Sequence, residues 1–258
     1  MILDEFDDQR IAMINPSDIY HEIEGFPTTL ISVFSYVLFE RLISLLDGKV
    51  IAKRTDVDGV WYIYEAKYKG IRFAFMKARI GAATCAGSFE EAIAFGAKRI
   101  ILLGNCGVLD KRIEDCGIII PTKAIRDEGF SYHYAPASDM IDVNHQHRTL
   151  FKNMLSELGY SYVEGITWTT DGFYRETKKK IQRRKEMGAI CVEMECSAVQ
   201  ALCDFRGIDF FQFLYAGDNL DHPKWDPRSL NGYARLNEKE KIMMLAVELA
   251  YRIEMETK

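Results

Sequence analysis

Three long apolar runs, "KRIILLGNCG" (98–107), "CGIIIPTKAI" (116–125) and "IDFFQFLYAGD" (208–218), leave few architectures open to this chain. Runs of this kind are the form taken by central strands of a mostly parallel sheet, and the first reads as a strand ending in a glycine turn. Helical patterns fall between and around them. One covers Ala82 to Phe95, closed by Gly96 as a C-terminal cap, one Thr149 to Leu158, and a basic one runs from about Glu176 to Met187. A long closing helix covers Asn237 to Met255. Near the start, a β-rich Thr28–Phe34 leads into a helix-like Tyr36–Leu46, and residues 50–78 read as consecutive strands with turns at Asp58-Gly59 and Lys69-Gly70. A further strand is expected over Ser161–Thr169. Strands alternating with helices predict an α/β sandwich around a central sheet. No repeat, low-complexity run or Pro/Gly/Ser linker divides the chain, so residues 1–258 read as one domain.

Bulk properties narrow the class of partner. At 258 residues and 48% hydrophobic the chain can bury a large core. A net charge of −5 gives little electrostatic support for nucleic-acid binding. No apolar run reaches the roughly 18 residues of a membrane span, and the acidic start "MILDEFDDQR" is unlike a signal peptide. A cytoplasmic protein is expected, away from membranes. The six cysteines form no C-x-x-C pair and sit mostly in apolar runs, where free Cys acts as a small hydrophobe. His145 and His147 lie in a polar "NHQHR" with no third ligand suggested, so no metal is expected.

The chemistry begins at "AICVEMECSAVQ" (189–200). It opens as a buried strand, yet carries Glu193 and Glu195 on either side of Met194, and then passes into a small-residue helical pattern. Burying one unpaired carboxylate costs on the order of several kcal/mol or forces its protonation, and two close together are worse. The stretch therefore calls for a polar partner. In open α/β sheets ligands bind outside the carboxyl ends of the strands. Polar groups recur at such ends: Asn105 after "ILLG", Glu193 and Glu195 after "ICV", Asp218 after "FLYAG", and Thr169, Thr170 and Asp171 ahead of Phe173 and Tyr174. These residues are expected to line one pocket.

A carboxylate accepts two parallel hydrogen bonds, the geometry of a ribose diol, while an aromatic ring and a methionine offer flat walls to a heterocycle. A second carboxyl with a pKa raised by burial can donate a proton to a leaving base. Together they describe cleavage of an N-glycosidic bond. Singly, each residue has a plainer explanation. Glu195 fits a helix N-terminal acid and Asp218 a turn residue, Phe173 and Tyr174 fit packing, and Gly104 to Gly107 matches no nucleotide fingerprint. Their joint occurrence at successive strand ends is what favours the pocket.

"VEMECSA" is very similar to the V-E-M-E-x-x-A segment of the nucleoside phosphorylase family, which includes purine nucleoside and uridine phosphorylases and related nucleosidases. "GAKRIILLGNCGVLD" resembles that family's strand into G-[ST]-[CGS]-G, "TTDGFY" its S-x-D-x-F-Y, "YAGDN" its S-D, and "AIRDEGFSYHYAPAS" a further segment, all in matching order from about Ile71 to Asn219. The resemblance implies a single-domain three-layer α/β/α sandwich around a mixed central sheet. It implies that Glu195 holds the ribose hydroxyls, with Met194 under the sugar and Glu193 steadying the site. Phe173 would stack on the base and Asp218 act as general acid toward purine N7. The transition state would be oxocarbenium-like, as in glycoside hydrolysis.

The chain also departs from the family. The N-terminal G-D-P-x-R phosphate loop is replaced by "TTLISVFSYV", the arginine before the glycine turn by Leu102, and the Ser or Thr of that turn by Asn105. Phosphate wants charge-assisted donors. Lys77 and Arg79 lead into a helix N-terminus, where anions are favoured, and Arg126 and Arg175 are further candidates. The alternative for each is a surface cation, preferred for Arg175 and narrowly for Arg79. The acceptor side is thus expected to draw on Asn105, Arg79 and Arg126. The cluster Lys178, Lys179, Lys180, Arg183, Arg184 and Lys185 reads as a solvated helix face before a 5′-phosphate site, and His21 as a surface histidine.

The resulting expectation is an enzyme cleaving a ribonucleoside, purine favoured, by phosphorolysis to free base and ribose 1-phosphate. Inorganic phosphate would be co-substrate and no cofactor is expected. Its partners would be small nucleosides or nucleotides and copies of itself in a homo-oligomer. A hydrolytic nucleosidase and a non-catalytic nucleoside-binding protein are the alternatives, with an α/β oxidoreductase a distant third.

Overall fold

A computed structural model describes residues 2–57 and 59–256. The strands are β1 (Thr29–Val33), β2 (Lys49–Asp56), β3 (Gly59–Tyr68), β4 (Ile71–Lys77), β5 (Arg99–Val108), β6 (Ile118–Asp127), β7 (Met140–Asp142), β8 (Tyr162–Thr170), β9 (Ala189–Glu193) and β10 (Asp209–Asn219). The helices are α1 (Tyr36–Leu45), α2 (Ala82–Phe95), α3 (Arg148–Glu157), α4 (Lys178–Glu186), α5 (Cys196–Arg206) and α6 (Leu236–Glu256). The turn expected at Asp58-Gly59 rests in part on residue 58, outside the described residues.

Alternation along the central strands builds the three layers. Ile31, Val33, Phe73, Phe75, Ile101, Leu103, Phe211 and Phe213 pack on one face with the apolar sides of α1, α3 and α6. Their neighbours Leu30, Ala74, Met76, Ile100, Leu102 and Phe210 pack on the other face with α2 and α5. Burial on both faces is why these strands read as unbroken apolar runs. Small residues on α2 (Cys85, Ala86, Ala92) and α5 (Ala198, Cys203) let the two helices approach the sheet closely. Gly96, at φ 127°, ends α2 with its N–H on the carbonyls of Ala92 and Ile93.

The sheet is mixed, as expected, in the order β10-β6-β8-β9-β5-β1-β4-β3-β2, with β7 on β6. It is not flat. β10 pairs with both β6 and β5, so β5, β9, β8, β6 and β10 close into a ring, from which β1, β4, β3 and β2 extend. Ring closure corrects one sequence expectation. "LLGNCG" is no glycine turn: β5 runs on to Val108 because β10 stays hydrogen-bonded beside it as far as Asn219. Asp218 likewise lies within β10, just past a register shift between Ala216 and Asp218, and not in a turn.

Candidate active site

Gly107 on β5 is the hub. Its partners are Val192 at the end of β9 and Asp218 on β10. A Cβ at this position would lie 2.3 Å from Leu220 Cδ1 and 3.2 Å from Asp218 Oδ1, so Leu220 would have to move to admit one. The absent side chain leaves room for Leu220 and Asp218 beside β5.

The two glutamates next to Val192 do different work. Glu193 is buried and accepts four hydrogen bonds. Two come from Thr169 Oγ1 (2.6 Å) and Thr167 Oγ1 (3.2 Å) on β8, and two from the backbone N–H groups of Glu195 (2.7 Å) and Cys196 (2.6 Å) that open α5. It caps the helix from outside it, with the helix dipole in its favour. Burial pushes its carboxyl up, and those four donors pull it back. Glu195 is equally buried but accepts from the backbone, with the N–H of Gly81 at 2.6 Å. Gly81 stands at φ 94°, a conformation that favours glycine, and so turns its N–H toward the carboxyl just ahead of α2. Burial, then the neighbouring Glu193 charge, push Glu195 up to about 8. Its four donors make Glu193 the better-stabilised carboxylate of the pair, so a proton held between them favours Glu195. The partly buried Met194 lies between them.

Across Gly107, Asp218 is held by a different kind of donor: Trp225 Nε1 at 2.7 Å from Oδ2. Burial raises the Asp218 carboxyl, while the Trp225 hydrogen bond and Arg228 oppose the rise. Glu176, in the loop between Phe173–Arg175 and α4, is pushed up to about 7 by burial and by Asp218. Phe173 is 48% exposed and stacks against Tyr174, ring centroids 4.0 Å apart. Asp171 accepts from the Gly129 N–H at 3.0 Å, and its carboxyl is raised by burial. The glutamates, Asp218 and the Phe173 loop thus gather where β5, β8, β9 and β10 end.

The cations expected on the acceptor side lie elsewhere or are occupied. Arg126 is buried on β6 and spends its guanidinium on its own loop: Nε on Ser131 Oγ (2.8 Å), Nη1 on Pro136 O (2.6 Å) and Ser138 Oγ (2.9 Å), Nη2 on Ala135 O (3.2 Å). Stacked 4.1 Å over the Tyr132 ring, it is a loop clamp, which corrects its expected place on the acceptor side. Arg79 pairs with Asp56 at 2.8 Å and sits 4.7 Å over the Trp61 ring. Asn105, partly exposed on β5, reaches toward Gly217, with Nδ2 3.1 Å from where a Cβ there would stand. It also borders a crevice at the ends of β1 and β5, among Val33, Phe34, Ser35, Leu38 and Tyr215. In the α4 cluster, Lys180 and Arg184 pair with Asp127, and Lys185 with Asp221.

Sequence reasoning overlooked Gly81, Thr167, Glu176 and Trp225. Gly81 carried a signal, a glycine immediately before an apolar helix, and the rest carried none. A depression of about 350 Å³ lies at the end of β4, among Tyr36, Trp61, Tyr62, Tyr64, Arg54 and Lys77.

Known proteins share this fold. The family model described as the phosphorylase superfamily matches residues 39–255. A DeoD-type purine nucleoside phosphorylase of Bacillus cereus is 25% identical over 166 residues, covering 61% of this chain and 68% of the relative. One from Bacillus thuringiensis aligns over the same extent at the same identity. Among solved structures, uridine phosphorylase from Vibrio fischeri superposes with a TM-score of 0.74 at 20% identity, over 92% of this chain and 98% of that one. Purine nucleoside phosphorylase from Toxoplasma gondii, solved with immucillin-H, gives 0.73 at 20% identity, over 89% and 94%. With the family match spanning all but the first strand of this sheet, the chain belongs to the phosphorylase superfamily, as an enzyme of its nucleoside phosphorylase family.

Proposed function

We propose that this enzyme cleaves the N-glycosidic bond of a purine ribonucleoside and passes the ribosyl group to inorganic phosphate, with free base and ribose 1-phosphate as products. The observation that carries the reading is the division of labour around Gly107. On one side Glu195, aimed by the Gly81 N–H, is suited to accept from a ribose diol once its proton is released. On the other, Asp218 has a raised carboxyl and is suited to protonating a base. Phe173, three residues ahead of the Glu176 that faces Asp218, supplies a ring for the base, and Met194 an apolar floor for the sugar. A carboxyl raised by burial favours purine, whose N7 accepts a proton as the bond breaks.

A second reading has water as acceptor. The crevice bordered by Asn105 includes no Lys or Arg among its lining residues, and Leu102 is buried toward α2 and α5. Phosphate bound there would rely on Asn105, on Ser35 and on release of Arg79 from Asp56. The substrate side of both readings is the same, and so is the assembly we propose, a homo-oligomer working in the cytoplasm. Tyr36, Val60 and Tyr62 are exposed around the 350 Å³ depression, an apolar surface of the sort that another copy covers.

Chromatography of products from a nucleoside and nucleotide panel, with and without phosphate, tests this. Base released only with phosphate, beside ribose 1-phosphate, is the expected result. Base with free ribose in phosphate-free buffer would overturn phosphorolysis in favour of hydrolysis. Binding without any turnover would leave a nucleoside-binding protein.

A further inference from the structure

Trp225 is an odd partner for a half-buried acid. Its indole offers one N–H and no lone pair, so the oxygen it touches must accept. That oxygen is Asp218 Oδ2, at 2.7 Å. Oδ1 lies on the other side, 3.2 Å from the place a side chain of Gly107 would occupy, at the meeting point of β5, β9 and β10. The contact is built rather than incidental. An isolated antiparallel bridge joins Asn219 to Asp226, with N–H···O bonds in both directions (2.9 and 3.2 Å), and so folds the following loop back beside Asp218. Arg228 anchors the same loop by donating to Ile113 O at 2.8 Å. Even so, the Trp225 ring stays 60% exposed, more than packing alone would leave a tryptophan.

We propose that Trp225 is a positioning residue that keeps Asp218 Oδ2 an acceptor, so that the proton of the neutral acid sits on Oδ1, the oxygen facing the site. The inference rests on the general-acid reading of Asp218. As the N-glycosidic bond breaks, its electron pair passes into the base and the Oδ1 proton moves to the base nitrogen. Asp218 is left as a carboxylate, already hydrogen-bonded by the indole, and the acceptor oxygen bonds to C1′. One donor therefore serves twice, selecting the reactive oxygen before the step and stabilising the anion after it. Other charges facing Asp218 are Arg228 and Asp226 from the same loop, and Glu176 ahead of α4; the Cys106 thiol on β5 also lies within its field.

The test compares Trp225→Phe and Trp225→His with the unchanged enzyme in full pH profiles of kcat and kcat/KM. Activity needs protonated Asp218, so it is lost as pH rises through that pKa. Removing the indole donor withdraws stabilisation from the carboxylate, and the alkaline limb should move to higher pH in W225F. Its kcat should fall roughly tenfold, the order of one hydrogen bond, with KM little changed. W225H, which keeps a ring N–H, should recover part of both effects. An unshifted limb with unchanged kcat would overturn the proposal.

A second readout needs no turnover. The Trp225 indole N–H resonance, assigned by its absence in W225F, should titrate with pH and stop titrating in Asp218→Asn. A resonance indifferent to pH in the unchanged protein would overturn the pairing itself. A titrating resonance in a protein that cleaves no nucleoside would instead locate the failure in the general-acid reading.

Discussion

Replacing Glu195 with Gln should make the protein more stable and worse at handling ribose. The ordinary glutamate value is 4.5, and in the folded protein burial and Glu193 raise Glu195 to about 8. Between those values the folded state holds a proton that the unfolded chain releases, so stability falls as pH climbs through the window. From 4.5 up to pH 7, at about 1.4 kcal/mol per pH unit, the penalty reaches roughly 3 kcal/mol. Gln carries no such penalty, and its amide oxygen can still accept from Gly81. The stability gain of E195Q should be near zero at pH 4.5 and grow to about 3 kcal/mol at pH 7, read from urea unfolding midpoints across that range. The same variant should lose its preference for ribo- over 2′-deoxyribonucleosides, because Glu195 can release its proton to accept from both hydroxyls and the amide cannot. A gain independent of pH, or a loss at pH 7, would refute the assignment of the proton to Glu195.

Two further outcomes follow from the site. Asp218→Asn should lower turnover of a purine nucleoside by roughly 10²–10⁴-fold without lowering the unfolding midpoint at neutral pH, since Asn also relieves the cost of burying an acid there; unaltered turnover would remove Asp218 from proton donation. Arg126→Ala deletes a clamp of four hydrogen bonds on residues 131–138. It should cost about 2–4 kcal/mol of stability and leave the KM for phosphate within about twofold, whereas a raised phosphate KM without destabilisation would return Arg126 to the acceptor side.

The sequence was most readable where periodicity and burial coincide. Ala82–Phe95 could be bounded to the residue because a glycine cap closes it, and the central strands could be recognised because both their faces are buried. Ring closure could not be read. "LLGNCG" looks like a turn in isolation, and only the presence of β10 alongside keeps it extended. The glutamates were conspicuous as acids in an apolar run, yet their partners were not. Thr167 and Thr169 reach Glu193 from β8 across 26 and 24 positions of sequence, and Gly81 reaches Glu195 across 114. Arg126 misled for the same reason. Its charge was visible, while the carbonyls of Ala135 and Pro136 that absorb it depend on a loop conformation no local pattern encodes.

The closed ring also sets when in the protein's life a site exists. Its components sit at residues 81, 107, 167–169, 193–195 and 218, and β10, the strand that completes the circuit, is the last strand of the chain. On the ribosome, earlier strands can pair as they emerge, but Asp218 and the β5–β10 ladder arrive only after β1 to β9 have been made. A nascent or truncated chain lacking β10 would have Glu195 without its opposing acid. Nucleoside should therefore act as a late selector, stabilising completed molecules and giving no help to intermediates on the way.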